Sequence, residues 1–543
     1  MKRRNFIKLS ATASVIALTP LEIKAALEPL SSMLECPDIS SRKLILINLA
    51  GGNDGLNTVI PINQYNLYSQ LRPTIKISNS GKDQYLKLDT TLPENQQVGL
   101  HPVLKGFKEI YDTGQLRVLQ SVGYPSQNKS HFKSTDLYLT GNDGMSLNNG
   151  SNSGWIGRFM EQFYADQVEE AFPLAIEMGS PKNSLGFHGV EEHGLSLNIT
   201  GQDPSGYYSV LNGLGGAPPQ NIPNSDYGKE LDFIINTDAL SNKYAQTIST
   251  SFDKGQNTVS YPDTNISDQL KTVARLISGD LQSKVFMVRI SGFDTHNAQA
   301  QDAGSPLGKH ADLLTQLSEG IVAFVKDMNQ QNLADDMVGL TFSEFGRKAK
   351  ENGSLGTDHG EIAPMFVFGK PVEGGVSGTN PDLSEAKEDN NFQLKTVQFD
   401  YRETIGTLLQ DYLGATNQVI DATFFNYANN ESFNNLKIEK LIKDQFNISK
   451  SCLRDVPPGS QEDQEWQIFP NPFDERITLY SIHEEEYVTY EIFTSSGALL
   501  MSRHEKTSFG RHGIYLAHLS SGAYVLKITS SNNSTEVHKI LKI

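Results

Sequence analysis

Cysteine is nearly missing from this sequence: its 543 residues contain two, Cys36 and Cys452. Neither sits in a Cys-x-x-Cys pair or a Cys/His finger spacing, which argues against a thiolate-held metal. The two stand just before and just after the main folded region. In an oxidising compartment they could pair and tie its ends together; otherwise they are two unrelated residues, one of them close to a leader. Long apolar runs are missing as well. No stretch reaches the roughly 20 residues that a membrane-spanning helix needs, so no transmembrane segment is expected in the mature form. Positive charge is in deficit, with 46 Lys+Arg against 63 Asp+Glu and a net charge of -17. Phosphate backbones would be repelled, so no nucleic-acid partner is expected. What remains is 38% hydrophobic and 20% charged, a balance that suits a soluble globular protein.

The N-terminus reads as an address. Met1-Lys2-Arg3-Arg4-Asn5-Phe6-Ile7-Lys8 is a basic opening, and the apolar run Ala11 to Leu18 is too short to span a membrane. Arg3-Arg4 followed by Phe6-Ile7-Lys8 resembles a twin-arginine signal, which implies export of a protein already folded. We expect a signal peptide over residues 1–26.

At the other end, residues 449–465 are polar, with Pro457-Pro458 and Gly459, and form a linker. Beyond it the pattern turns to short alternating runs, among them Ile477–Tyr480, Tyr487–Phe493 and Tyr524–Ile528, each suited to a strand with one buried face. Gly497, Gly510, Gly513 and Gly522 fall between the runs, and residues 466–543 are expected to form a small β-sandwich. Phe469-Pro470-Asn471-Pro472-Phe473, Ser496-Gly497, Ser521-Gly522-Ala523-Tyr524 and the basic end Lys539-Ile540-Leu541-Lys542-Ile543 follow in order. This module resembles the type A sorting domain of the type IX secretion system of Bacteroidetes. The resemblance implies type IX secretion machinery as a partner, passage through the periplasm, and a secreted or cell-surface destination.

Between the two lies an α/β region, residues 40–448, with near-continuous apolar runs that read as strands buried on both faces of a mostly parallel sheet flanked by helices. Lys43–Leu49 leads into Gly51-Gly52-Asn53-Asp54-Gly55, and Leu116–Val122 into a loop and a helix beginning near Ser130. Lys284–Ile290 leads into Asp294 and His296, and Val338–Phe342 into Glu344 and Arg347. A glycine-rich loop delivers Asp358 and His359, Pro364–Gly369 is one more strand, and His310 opens an amphipathic helix. In open α/β sheets, ligands bind beyond the carboxyl ends of strands. Each such residue alone is as well explained as a turn or capping group. Together, Asp54, Asp294, His296, Glu344, Asp358 and His359 would crowd acids and imidazoles at one sheet edge. Divalent cations would relieve that repulsion, one or two of them, through mixed O/N coordination that suits Zn or Mn and extends to Mg or Ca.

The order of Gly51–Asn57, Ser130-His131-Phe132, Gly154–Arg158, Phe293–His296, Ser343–Arg347 and Thr357–Gly360 resembles the family of unknown function numbered 1501. That family is similar to the alkaline phosphatase and sulfatase superfamily. The resemblance implies an alkaline-phosphatase-like core, with Asp54 as the first-strand metal ligand, Ser130 as nucleophile with His131 or Ser134 as alternatives, and Asp294/His296 and Asp358/His359 as two ligand pairs. Glu344 is implied as a further ligand, and Arg347 or Arg158 as an anion contact. The chain departs from the superfamily pattern in its short Asp294/His296 spacing and in having no late core histidine after His359, so one ligand is either missing or supplied by His310. Two functions compete on this evidence. One is an exported metal-dependent hydrolase of phosphate or sulfate esters, acting on a small anionic ester or a polysaccharide. The other is a non-catalytic cell-surface binding or assembly protein that retains the fold.

Overall fold

The computed structural model describes residues 36–142, 153–164, 167, 172–179, 184–189, 194–197, 244, 246–424 and 437–454. In the C-terminal module it describes 466–469, 473, 475–481, 487–494, 498–507, 511–530 and 534–542. The leader, most of the loop from Gly141 to Gly154 and the linker beyond Arg454 lie outside the described residues.

In chain order the strands of the main sheet and of one two-stranded hairpin are β1 (Lys43–Ala50), β2 (Leu116–Gly123), β3 (Ala175–Met178), β4 (Gly194–Leu197), β5 (Val285–Ser291) and β6 (Met337–Phe342). β7 (Arg347–Glu351), β8 (Thr357–His359), β9 (Ala363–Phe368), β10 (Gly375–Ser377) and β11 (Phe399–Asp400) follow. Nine of them make one sheet in the order β10-β2-β9-β6-β1-β5-β3-β4, with β11 beside β2. β1 is buried at every position. Alternate residues feed two cores: Ile45, Ile47 and Leu49 enter the cluster on one face, Leu44 and Leu46 the cluster on the other. That two-sided burial is why the strand reads as an unbroken apolar run rather than an alternating one.

β1 pairs in parallel with β5 and β6, and β3 with β5. β9 instead runs antiparallel to both β2 and β6. An apolar run carries no sign of its direction, so the sequence shows β9 as a strand and not its reversal. The carboxyl ends of β1, β2, β5 and β6 therefore share one edge with the amino end of β9. The expected helix after β2 is α1 (His131–Thr140), with Ser130 at its N-cap. α2 (Asn265–Ser278) and α3 (Lys309–Gln330) pack against the sheet; Leu314, Leu317, Ile321 and Phe324 of α3 are fully buried.

Cys36 and Cys452 are joined as a disulfide, a bridge across 416 residues that closes the ends of the α/β region. In the C-terminal module, a three-stranded sheet (Trp466–Phe469, Arg476–Ser481, Arg511–Tyr515) and a four-stranded sheet (Leu499–Lys506, Tyr487–Thr494, Gly522–Ser530, Thr535–Lys542) are antiparallel. They share a core that includes Trp466, Leu479, Ile492, Ile514 and Leu526, as expected of a β-sandwich.

Candidate metal centre

The centre is assembled by three backbone segments. The loop after β5 supplies Asp294 and His296, hairpin strand β8 supplies Asp358 and His359, and the first residue of α1 supplies His131. Two glycines allow this approach. Gly51, at φ +124°, passes so close to the β5 loop that a Cβ would sit 2.3 Å from the Asp294 backbone nitrogen. A Cβ on Gly356 would lie 2.3 Å from the His296 carbonyl oxygen.

Ligand atoms of His131, Asp294 and His359 lie within 4.8 Å of one another. His131 Nε2 is 3.5 Å from Asp294 Oδ2, and His359 Nε2 is 3.3 Å from Asp294 Oδ1. His296 Nε2 joins them, 3.3 Å from Asp294 Oδ1 and 2.9 Å from His359 Nε2. Each imidazole is held by its other ring nitrogen. His131 Nδ1 lies 2.9 Å from Glu344 Oε1, His296 Nδ1 3.2 Å from Asp358 Oδ1, and His359 Nδ1 2.9 Å from the Lys129 carbonyl oxygen.

These partners fix the protons. A carbonyl or carboxylate only accepts, so the ring proton of His359 is on Nδ1, and its Nε2 carries a lone pair. Burial, the largest influence, holds the His359 pKa below its ordinary value and so favours the neutral ring. The His359 lone pair therefore faces a carboxylate oxygen at 3.3 Å and the ring nitrogen of His296 at 2.9 Å. Acceptors so placed repel unless a cation or a proton lies between them. The donor set, imidazoles and a carboxylate with the far nitrogens hydrogen-bonded, has the make-up of a divalent-metal site. His131 behaves differently: its bond to Glu344 raises its pKa. Burial alone would raise the Asp294 pKa, but Arg347 and His359 bring it below the ordinary value.

Among the expected site residues, the structure thus brings Asp294, His296, Asp358, His359 and Glu344 together, and sets two of them in supporting positions. Glu344 accepts from His131 and from the Gly51 N–H (2.8 Å). Asp358 accepts from His296 and Asn352 and pairs with Lys348 at 3.2 Å. Neither carboxylate is among the ligand atoms that cluster on Asp294.

Asp54 stands apart. It is fully buried and forms a 2.6 Å salt bridge with Arg72, while Gln299 donates to the same oxygen. A cation already in the protein thus takes the place expected of a metal. Arg347 is buried, and its guanidinium donates to the carbonyls of Gly51, Gly52, Phe293 and Thr357 and to Asp294. It ties together the loops that carry the candidate ligands, and the anion it meets is the protein's own Asp294. Arg158 is buried likewise and donates to the backbone of Thr140, Ser153 and Thr423. His310 is buried with Nε2 3.0 Å from Asn53 Oδ1, outside the cluster. Ser130 is exposed, makes no side-chain capping bond, and directly precedes His131. The expectation of Asp358/His359 as residues of a glycine-rich loop is also refined: they lie in β8, paired with β7.

His131, which the sequence offered only as an alternative nucleophile to Ser130, is the residue not expected among the ligands. Its signal was the Ser130-His131-Phe132 stretch, where the hydroxyl at the helix start drew the first assignment.

Comparison with known proteins divides the chain. Residues 252–418 match a family described as a protein of unknown function (DUF1501). That stretch holds Asp294, His296, Glu344, Arg347, Asp358 and His359, and not Asp54, Ser130 or His131. Residues 467–543 match the secretion system C-terminal sorting domain. No curated protein matches the chain. Among solved structures, the chain is similar to the PsFucS1 sulfatase from Pseudoalteromonas sp. at 10% identity, covering 92% of this chain and 88% of that one, with a TM-score of 0.32. It is similar to a protein of the alkaline phosphatase superfamily from Vibrio parahaemolyticus at 8% identity, covering 92% and 82%, with a TM-score of 0.31. A DUF3244 family protein from Bacteroides vulgatus with an immunoglobulin-like β-sandwich matches at 16% identity, covering 16% of this chain and 91% of that one, with a TM-score of 0.14. No helix of the described residues is long and apolar enough to cross a membrane.

Proposed function

We propose that the protein is an exported metal-dependent hydrolase of phosphate or sulfate esters, with one divalent ion held by Asp294, His131, His296 and His359. The observation that carries this reading is the convergence of the Nε2 atoms of His131, His296 and His359 on the Asp294 carboxylate at 3.5, 3.3 and 3.3 Å. Nitrogen-rich donors favour Zn or Mn over Mg or Ca. When bound, such an ion supplies Lewis-acid stabilisation for an anionic ester oxygen. Glu344, Asp358 and the Lys129 carbonyl orient the three rings. Asp294, about half exposed, leaves the centre open to a substrate from solvent. Lys348, beside Asp358, adds positive charge that favours an anionic ester. Ser130, at the start of α1 and next to His131, is the nucleophile in this reading. The sorting domain and the leader direct the folded enzyme outward, to the surface or the medium.

Elemental analysis of the purified full chain tests the metal; we expect about one Zn or Mn per chain in the wild type and background levels in Asp294→Ala and His359→Ala. A panel of chromogenic phosphate and sulfate esters tests the chemistry, with turnover lost in Ser130→Ala. Metal at background in the wild type refutes the centre. Metal without turnover of any ester leaves the binding-protein alternative standing.

A further inference from the structure

We infer that Gln299 is a positioning residue that fixes the spacing between the two segments bearing the candidate ligands. Its carboxamide is buried and engaged at both ends. Oε1 accepts from Thr295 Oγ1 at 3.0 Å and from Thr357 Oγ1 at 2.8 Å, and Nε2 donates to Asp54 Oδ2. Thr295 lies between Asp294 and His296, and Thr357 directly precedes Asp358 and His359. One side chain therefore cross-links the β5 loop to β8. The amide cannot be reversed, because a carboxylate accepts only and each threonine hydroxyl needs an acceptor. All three partners are buried: Thr295 is 1% exposed, Thr357 0% and Asp54 0%.

The far end of the link is anchored too. Arg72 bonds Asp54 and also donates to the carbonyls of Lys348 and Ala349 at 2.8 Å each. Those residues belong to β7, the partner strand of β8. The chain of contacts runs from the β5 loop through Gln299 and Asp54 to Arg72 and back to the hairpin. Metal–ligand distances tolerate a change of only about 0.2 Å, so a cross-link between the two ligand-bearing segments acts on ion affinity more than on whether the domain folds. A direct backbone bond, Thr357 N–H to Thr295 carbonyl at 3.2 Å, keeps the segments adjacent when the carboxamide is removed.

This inference rests on the metal reading above. Its test is a competition titration of the full chain with Zn²⁺ and Mn²⁺ against a chromogenic chelator, alongside thermal melting of the ion-free protein. Gln299→Leu is expected to weaken ion binding by roughly 10–100-fold, the effect typical of residues that orient metal ligands. Gln398→Leu serves as the control. It removes a carboxamide that ties Thr379 and Ser121 in another part of the fold, and it should lower the melting temperature with ion affinity unchanged. Thr357→Val, a milder change, should weaken binding by a smaller factor. Combined with Gln299→Leu it should add nothing, since both break one link. Wild-type affinity in Gln299→Leu, or an equal loss in the Gln398→Leu control, overturns the inference and leaves the metal reading intact. Wild-type protein that binds neither ion refutes the metal reading itself and this inference with it. Should Gln299→Leu fail to fold, the Thr357→Val titration decides alone: unchanged affinity there overturns the inference.

Discussion

Removing Arg72 gives the sharpest separation between a structural and a ligand role for Asp54. Both side chains are fully buried, and the 2.6 Å ion pair is supplemented by Arg72 bonds to Asn57 Oδ1 and to the carbonyls of Lys348 and Ala349. Taking one partner from a buried pair costs about 3–5 kcal/mol, because the other charge is left in a dry site. Arg72→Met also strands two backbone carbonyls, so the upper part of that range is expected, a urea midpoint shift on the order of 1 M. The pH dependence carries a sign. Burial pushes the Asp54 pKa up, but Arg72, by charge and hydrogen bond, brings it below the ordinary value. The pair's contribution is therefore present above the ordinary carboxylate range and lost as pH falls through the depressed pKa. In Arg72→Met burial is opposed only by Gln299 and His310, the carboxyl takes up its proton more readily, and the deficit should be larger at pH ~7.5 than at pH ~5. Arg72→Met/Asp54→Asn should recover much of the loss. Urea titrations of the three variants and wild type at both pH values measure this. A deficit under about 1 kcal/mol, or one that is equal at both pH values and unrecovered in the double variant, would refute the strut role.

Three further outcomes are expected. Cys36→Ser/Cys452→Ser, or reduction of the wild type, should cost up to about 6 kcal/mol, the chain-entropy limit for a loop of 416 residues; denaturant midpoints with and without reductant report it. His310 is fully buried, and burial brings its pKa down to about 4. The unfolded chain binds the proton first, so stability is full above about pH 6.5 and falls as pH drops toward 4; His310→Gln should flatten that slope in a pH series of urea melts. Gly51→Ala should destabilise by about 1–3 kcal/mol, because its φ is +124° and its Cβ would meet the Asp294 backbone; it should also weaken ion binding in the chelator titration.

Much of the scaffold was legible in the sequence because burial writes itself into residue type. β1, β2, β5, β6 and β9 were all visible as apolar runs, and α1 began where Ser130 indicated. What the sequence did not show is pairing at a distance. Asp54 looked like a ligand since strand-end logic places a carboxylate and is blind to the arginine 18 residues later that neutralises it. Arg347 looked like an anion contact for the same reason, its partners being backbone carbonyls and Asp294, drawn from separate loops. Glu344 and Asp358 were placed in the right neighbourhood, where they hydrogen-bond the outer nitrogens of His131 and His296. The disulfide was one of two open readings until the fold brought residues 36 and 452 together.

Crowding of negative charge was the reason to expect a cation from the sequence, and the fold removes that reason. Asp54 has Arg72, Asp358 has Lys348, Glu344 has His131, and Asp294 has Arg347. With every one of these carboxylates partnered, net repulsion no longer requires a metal. What remains is direction: Glu344, Asp358 and Lys129 occupy the outer nitrogens of three rings, which turns the inner nitrogens toward one carboxylate. On the reading proposed above, that arrangement takes a single ion. A second ion held by Asp54 would take that carboxylate from Arg72 and leave a guanidinium buried and unpaired, at a cost of several kcal/mol. A stoichiometry near two ions per chain, with the Asp54–Arg72 pair intact in the loaded protein, would contradict this reasoning and require ligands from residues outside the cluster.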